Sequence, residues 1–204
     1  SRDDPVAGDS GGLLVRLTRR EELPVSRAWM QRFHYLGDCA LVGESLRYAA
    51  FYRGEVVALL WWSAAALHNR PRDVYIGWDS ETKKRRLSGV VNNSRFLMLP
   101  WSPEELFASQ VLAANLRRLN RDWQTHYAHT IQLAETFVAT PRFQGTCYRA
   151  SNWLELGETQ GWSRDGASYR HHGQRKKVFV YALAPRAIEE LRTVSPTKER
   201  QRMA

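Results

Sequence analysis

The stretch Phe143-Gln-Gly-Thr-Cys-Tyr-Arg-Ala-Ser-Asn-Trp-Leu-Glu-Leu-Gly-Glu-Thr-Gln-Gly161 decides the fold. It reads as a short helix ending in an aromatic residue, Trp153, followed at once by a strand that begins at Leu154. Within the helix, Tyr148 stands five residues before that aromatic.

Outward from this junction, the chain divides by its hydrophobic periodicity. Residues 1–12, rich in Asp, Gly and Ser, read as a flexible leader. Leu13 to Thr18 reads as a first strand, and Glu21 to Phe33 as a helix with Leu23, Trp29, Met30 and Phe33 on its apolar face, stopping before Gly37. Two β-rich runs, Leu46 to Arg53 and Val56 to Ser63, flank Gly54-Glu55 and predict a hairpin. Leu67 to Asp73 reads as loop, Val74 to Trp78 as a short strand, and Asp79 to Asn93 as a basic helix or loop. Arg95 to Leu99 reads as a strand ended by Pro100, and Glu104 to Tyr127 as a long amphipathic helix. Ile131 to Val138 follows as a strand. After the short helix and strand, a polar basic loop, Arg164 to Lys177, leads into a last strand, Val178 to Leu183, and a tail helix, Ala187 to Arg192. The expected organisation is a leader (1–12), one domain (13–185) with an insertion at about 67–93, and a tail (186–204).

Bulk properties narrow the class. A chain of 204 residues fits one domain, large enough to need no disulfide staples. Cys39 and Cys147 lie far apart, without C-x-x-C spacing or clustered histidines, which argues for reduced thiols in a cytoplasmic protein and against a metal site. The longest apolar run, Val56 to Leu67, is too short for a bilayer, which takes roughly 20 residues, so no membrane partner is expected. The formal charge of +9 and pI near 9.9 draw the chain toward phosphate-rich partners. The eight tryptophans could add base stacking to that attraction, although core packing accounts for most such residues.

Tyr148-Arg-Ala-Ser-Asn152-Trp153 resembles the second signature of the N-acetyltransferase (GNAT) superfamily, Tyr-x-x-x-(Gly/Asn)-aromatic, and the order of elements is that of such a domain. The resemblance implies an α/β fold, a GNAT-like mixed central sheet flanked by helices, in which the tyrosine points at a cofactor thioester. The same resemblance implies a coenzyme A pyrophosphate cradle, Pro-x-x-(Arg/Gln)-x-x-Gly-x-(Gly/Ala), at the start of the long helix. Here Pro100 and Ala108 fit, but Pro103 replaces the Arg/Gln and Leu106 the central glycine. Ser102-Pro103-Glu104-Glu105 reads as a capping box that would occupy the N–H donors and set carboxylates against a phosphate. Coenzyme A is therefore not expected in its usual mode, and the donor of any reaction is left open.

A fuller set of words is similar to one family: His34-Tyr-Leu-Gly37, Ile76-Gly-Trp78, Asn92-Asn-Ser-Arg-Phe-Leu97, Asp122-Trp123, Glu135-Thr-Phe-Val138 and Cys147 to Trp153. It is the Druantia anti-phage system A family, also found beside or fused to transposases. The resemblance spans about Met30 to Leu183 and implies bacterial defence or mobile-element biology.

Three residues stand out as candidate catalytic groups. Glu135 shares its side of a strand with Ile131, Leu133 and Phe137, where burial would raise its pKa toward that of a general base. The alternative is an internal ion pair with Arg95 on the preceding strand. Tyr148 would donate a proton to a leaving thiolate, or else pack under the sheet. His34 would transfer protons in the cleft, or else cap the last carbonyls of its helix. Asn93, Arg95, Arg149 and Asn152 are candidate cleft residues, although Asn92 and Asn93 also read as turn formers. Cys147 reads as a small buried hydrophobe.

Two basic runs, Lys83-Lys84-Arg85-Arg86 and a later one containing Arg170, Arg175, Lys176 and Lys177, read as contacts to nucleic acid phosphates, DNA or RNA. The expectation is a GNAT-like domain that engages nucleic acid in defence or a mobile element, with its cleft used for recognition or group transfer. The alternatives are an acyltransferase or a charged-tRNA-dependent transferase with an atypical donor site, and a scaffold for other defence subunits.

Overall fold

The computed structural model describes residues 12–140, 143–159 and 175–193 in full, and the backbone alone at 162–165 and 168–171. A seven-stranded mixed sheet forms the centre. It comprises β1 (Leu13–Leu17), β2 (Ser45–Tyr52), β3 (Glu55–Ala64), β4 (Val90–Met98), β5 (Leu133–Ala139), β6 (Leu154–Glu158) and β9 (Lys176–Ala182), in the order β1-β2-β3-β4-β5-β9-β6. Neighbours run antiparallel except β4 and β5, which are parallel. A separate pair, β7 (Trp162–Asp165) and β8 (Ser168–His171), joins β6 to β9. It occupies part of the segment expected to be an irregular basic loop.

The helices fall on both faces of the sheet, as the pleat requires, because successive strand residues point to opposite sides. On one face lie α4 (Ala108–Tyr127) and α5 (Thr146–Ala150), over a core that includes Trp62, Leu112, Leu119, Trp123, Tyr148, Trp153 and Phe179. The other face carries α1 (Leu23–Phe33), seated by Met30 on Leu59, Trp61 and Leu97. Beside it lie α2 (Arg70–Ile76), α3 (Ser80–Arg86) and α6 (Ala187–Arg192), over Val90, Leu133, Val180 and Leu191. Ala187 and Leu191 are buried, so α6 belongs to this core.

Three expectations need correction. Residues 70–76 form a helix rather than loop and strand. Asn69 caps it, its side chain accepting from the Arg72 N–H, Pro71 fits the first turn, and Gly77 ends it at φ 73°, a left-handed position that glycine adopts freely. Asn92 and Asn93 lie within β4, not in a turn. The long helix starts at Ala108 rather than Glu104, and Ser102 caps nothing. Its hydroxyl lies 2.6 Å from the carbonyls of both Val57 and Leu99 and shares its one hydrogen between them, so the expected capping box does not form. At the actual start, the Phe107 N–H donates to Gln110 Oε1 at 2.9 Å.

Candidate functional site

β4 and β5 pair over three residues each, Val90–Asn92 against Leu133–Glu135. Beyond that point β4 stays with β3, β5 stays with β9, and the two strands part. The departure begins at a bulge. Trp61 faces Arg95 and Trp62 faces Asn93, leaving Ser94 as the extra residue. The Asn93 amide ties the bulge together by donating to the carbonyls of Trp61 (3.3 Å) and Arg95 (3.4 Å). The gap is a cleft of about 460 Å³, walled by Asn93 to Met98, Thr136 to Val138, the end of α1 and the start of α5. That volume lies within the range of small-molecule sites, roughly 300–1,000 Å³.

Tyr148 closes the cleft at its apex. Its hydroxyl donates to Asn93 Oδ1 at 2.9 Å, and Thr136 Oγ1 lies 3.5 Å away, itself donating to the Asn93 carbonyl at 3.1 Å. The ring stacks on Phe179 and meets Trp153 edge-on. Burial pushes the phenol far above its ordinary pKa, so it stays a neutral hydrogen-bond donor across any working pH. The backbone on either side of α5 explains this placement. Gly145 sits at φ 72°, where an added Cβ would lie 2.6 Å from the Phe179 ring. Asn152 sits at φ 61°, a left-handed turn that asparagine tolerates, and it lets the Trp153 N–H reach back to the Tyr148 carbonyl at 3.0 Å.

The remaining candidates divide sharply. His34 and Arg95 line the cleft with Tyr148 and Asn93. His34 follows α1 directly, and its Nδ1 accepts the Leu36 N–H at 3.1 Å. Arg95 donates to the carbonyls of Gly37 (3.0 Å) and Ser94 (2.7 Å). Arg149 and Asn152 do not line the cleft: Arg149 pairs with Glu155, and its guanidinium lies over the Phe179 ring. Cys147 lines the cleft, but burial pushes its thiol up and away from a thiolate nucleophile.

Glu135 is not in the cleft wall. It lies fully buried on the opposite face of β5 from Thr136, and its partner is Arg72, not Arg95. Its carboxylate accepts from Ala66 N (2.9 Å), Asn69 Nδ2 (2.7 Å) and Arg72 Nη1 (3.0 and 3.2 Å). Burial raises its pKa, while the Arg72 guanidinium pulls the other way. Arg72 is buried too, and it reaches Asp73 at 2.7 Å, which in turn holds Lys83 at 2.7 Å and Trp78 Nε1 at 3.1 Å. This network staples α2 and α3 to the sheet. Arg72 escapes sequence reading because a lone arginine beside an aspartate looks like a solvated pair. The Asn69-x-Pro71 cap signature was the available signal of its helix.

The basic runs are partly committed to the fold. Lys83 pairs with Asp73, Arg85 with Glu81, and Arg86 donates to the Thr193 carbonyl, while Lys84 is exposed. Arg175 and Lys177 approach Glu158 and Glu155. Arg170 has its side chain outside the described residues. Lys176 is different: it is half-buried, and its ammonium pKa is lowered by burial and by the nearby positive charge of Arg95.

The phosphate cradle of acetyltransferases is not built here. Leu106 is buried in the core where the pattern wants glycine, Glu104 and Glu105 are exposed in the turn just before α4, and residues 100–116 contain no Lys or Arg. These residues do not fit the diphosphate of coenzyme A. Among the described residues, no group of His, Cys, Asp and Glu could hold a metal ion, and no helix is long and apolar enough to cross a membrane.

A mixed sheet that opens between two parallel strands under a helix tyrosine defines the N-acetyltransferase fold class. The solved structures it is similar to are of that class. The aminoglycoside acetyltransferase AAC(6')-Ib in complex with coenzyme A matches with a TM-score of 0.56 and 14% identity, over 89% of this chain and 99% of that one. Spermidine N-acetyltransferase from Vibrio cholerae, in complex with coenzyme A and spermine, gives 0.55 and 9%, over 85% and 97%. The ribosomal-protein-S18-alanine N-acetyltransferase from Escherichia coli gives 0.53 and 8%, over 91% and 98%. Such identities speak for the fold alone, and curated protein sequences yield no match. The family is shown by the Druantia protein DruA model, which matches residues 13–167: the chain belongs to the DruA family.

Proposed function

We propose that this chain is a group-transfer domain of a phage-defence system, with the reaction in the β4–β5 gap and nucleic acid as the acceptor. The observation that carries the proposal is the parting of β4 from β5 with the neutral Tyr148 phenol at its apex. An extended acyl donor with amide groups along its arm can bind along the open edge of β4 as an added strand would, through backbone hydrogen bonds. The group to be transferred then lies beside Tyr148. Transfer breaks the donor's acyl–sulfur bond and joins the acyl carbon to an amine or hydroxyl of the acceptor, whose proton passes through solvent to the departing thiolate. Charge developing on that sulfur competes with Asn93 Oδ1 for the phenolic hydrogen, and Tyr148 stabilises it as a hydrogen-bond donor without losing its own proton. Because residues 100–108 offer no diphosphate site, the donor binds through its arm rather than through a nucleotide end.

The nucleic-acid part of the reading is supported by the formal charge of +9. Binding to a duplex should weaken with salt, with a log–log slope of about −0.9 per phosphate contacted.

Titration with S-acetylpantetheine and, separately, acetyl coenzyme A tests the donor site. The expected result is binding of both within about threefold, since the diphosphate adds nothing. With an oligonucleotide acceptor, Tyr148→Phe should slow thiol release about 10²-fold. Failure of S-acetylpantetheine to bind the folded chain would overturn the proposal.

A further inference from the structure

The gap between β4 and β5 is lined from both sides of the sheet, by Phe33 to Leu36 at the end of α1 and by Gly145 to Tyr148 at α5. The register of β4 against β3 shows which β4 side chains stand on each face, because residues directly opposite in an antiparallel pair point the same way. Asn93 lies opposite Trp62, which is buried with Tyr148 in the core under α4 and α5. Arg95 lies opposite Trp61, which is buried with Met30 and Leu97 under α1. In a regular strand, positions two apart share a face; the extra residue of the bulge, Ser94, turns Arg95 to the other one.

The Arg95 guanidinium is fixed there by backbone. Its Nε donates to the Gly37 carbonyl at 3.0 Å, just beyond α1, and its Nη1 to the Ser94 carbonyl at 2.7 Å. The residue is half-buried, yet Nη2 is not sealed from solvent. Among the described residues, nothing bonds Nη2, no carboxylate pairs with Arg95, and no other Lys, Arg, Asp or Glu lines the cleft. The walls around it include Phe96, Phe137 and Val138. Two carbonyls orient the cation without neutralising it. A cation held partly out of water beside apolar walls is costly until an anion joins it, and the planar fork matches the paired oxygens of a phosphate or carboxylate.

We propose that Arg95 selects an anionic acceptor. The acceptor enters the gap from the α1 face and sets an oxyanion on the uncommitted edge of this guanidinium, with its nucleophile turned toward the acyl group beside Tyr148. The inference rests on the group-transfer reading for the reaction, but the oxyanion site can fill without turnover. The same chemistry is offered by a backbone phosphate of a strand and by a small anionic acceptor.

The Arg95 Nε–H signal in a nitrogen–proton NMR spectrum of the full chain, assigned by its absence from Arg95→Lys, tests the site. It is followed at low salt as inorganic phosphate, an octathymidylate strand, or the same strand with an uncharged methylphosphonate backbone is added. Phosphate and the natural strand should move the signal to saturation, and the uncharged strand should leave it in place. The affinity for the natural strand, read by calorimetry, should fall about tenfold or more in Arg95→Met, with partial rescue in Arg95→Lys. Arg117→Met, which removes an exposed charge of α4, should cost about fivefold at most, so the excess belongs to the cleft and not to the net charge. Because Arg95 also anchors the Gly37 carbonyl, Arg95→Met could lose its fold; the NMR titration of the parent chain decides the matter without that variant. A strand that saturates the signal at about one tenth of the phosphate concentration marks a polymer as the source of the oxyanion, and equal concentrations mark a small anion. A signal that moves as far with the uncharged strand, or with neither anion, overturns the site. S-acetylpantetheine titrated in parallel separates the two readings. If it binds while the Arg95 signal stays unmoved by anions, only the oxyanion site falls; if it fails to bind while phosphate moves the signal, only the group-transfer reading falls.

Discussion

The Tyr148 hydroxyl and Asn93 Oδ1 lie 2.9 Å apart, across the point where β4 and β5 separate. Asn93 is at once the acceptor for the phenol and, through its amide, the tie across the β4 bulge. The orientation of the phenolic hydrogen and the shape of the opening are thus set by one side chain. Removing the hydroxyl in Tyr148→Phe leaves Oδ1 buried and unpaired, which should lower unfolding stability by about 1–3 kcal/mol. Urea denaturation of the two proteins checks that figure, and a larger loss of transfer activity than of stability distinguishes a working phenol from a packing one.

Gly145→Ala should be costly despite its small size. The residue sits at φ 72°, and the new methyl would press into the Phe179 ring at 2.6 Å. The left-handed backbone alone costs about 1–2 kcal/mol. Adding Phe179→Leu should relieve the contact but not the backbone cost, so the double variant should regain only part of the lost melting temperature.

Arg72→Met and Glu135→Gln should each destabilise the fold strongly. The two side chains are fully buried and bound to each other at 3.0 Å, so either variant strands a charge or its donors. Loss of one partner costs about 3–5 kcal/mol, while replacing both by apolar groups can be near neutral. The double variant Arg72→Met/Glu135→Leu should therefore melt above Arg72→Met. If Glu135→Gln instead keeps its stability and loses activity, the carboxylate has a chemical role.

Acid should loosen the start of α1 through Glu22. Its hydrogen bonds from the Arg16 side chain and the Arg19 N–H hold the carboxyl at about 2, against an ordinary 4.5. A carboxyl depressed on folding contributes stability that is present above the unfolded pKa and is lost as pH falls through the folded one. The melting temperature of Glu22→Gln should thus lie below that of the parent at pH 7, and the difference should shrink between about pH 4.5 and 2.

What could be read in advance follows the range of the interactions. The hairpin, whose turn falls at Arg53-Gly54 with Glu55 already in β3, and the helix–strand junction at Tyr148 to Trp153 are specified by neighbours in sequence, and both stand within a residue of where local patterning puts them. The Arg72–Glu135 pair spans 63 positions, and no local pattern links its halves. Alternation puts Glu135 on the side of Leu133, which packs under the α2–α3 insertion, but Ile131 joins the opposite core and the Glu135 carboxylate meets Arg72 and Asn69 rather than the cleft. Ser102-Pro103-Glu104-Glu105 misleads for a related reason. The Ser102 hydroxyl, free to cap in an isolated segment, is claimed by the Val57 carbonyl of a distant strand.

The sheet order carries a consequence for synthesis. β9 is made after β5 and β6 yet lies between them, hydrogen-bonded to both. While the nascent chain leaves the ribosome, β5 has an open edge and β6 has no neighbour until Lys176 to Ala182 emerge. Tyr148 likewise waits for Phe179 to arrive beneath its ring. An interrupted translation product would hold every residue of the gap's apex and still lack the wall that sets it, so competence arrives only with the final strand.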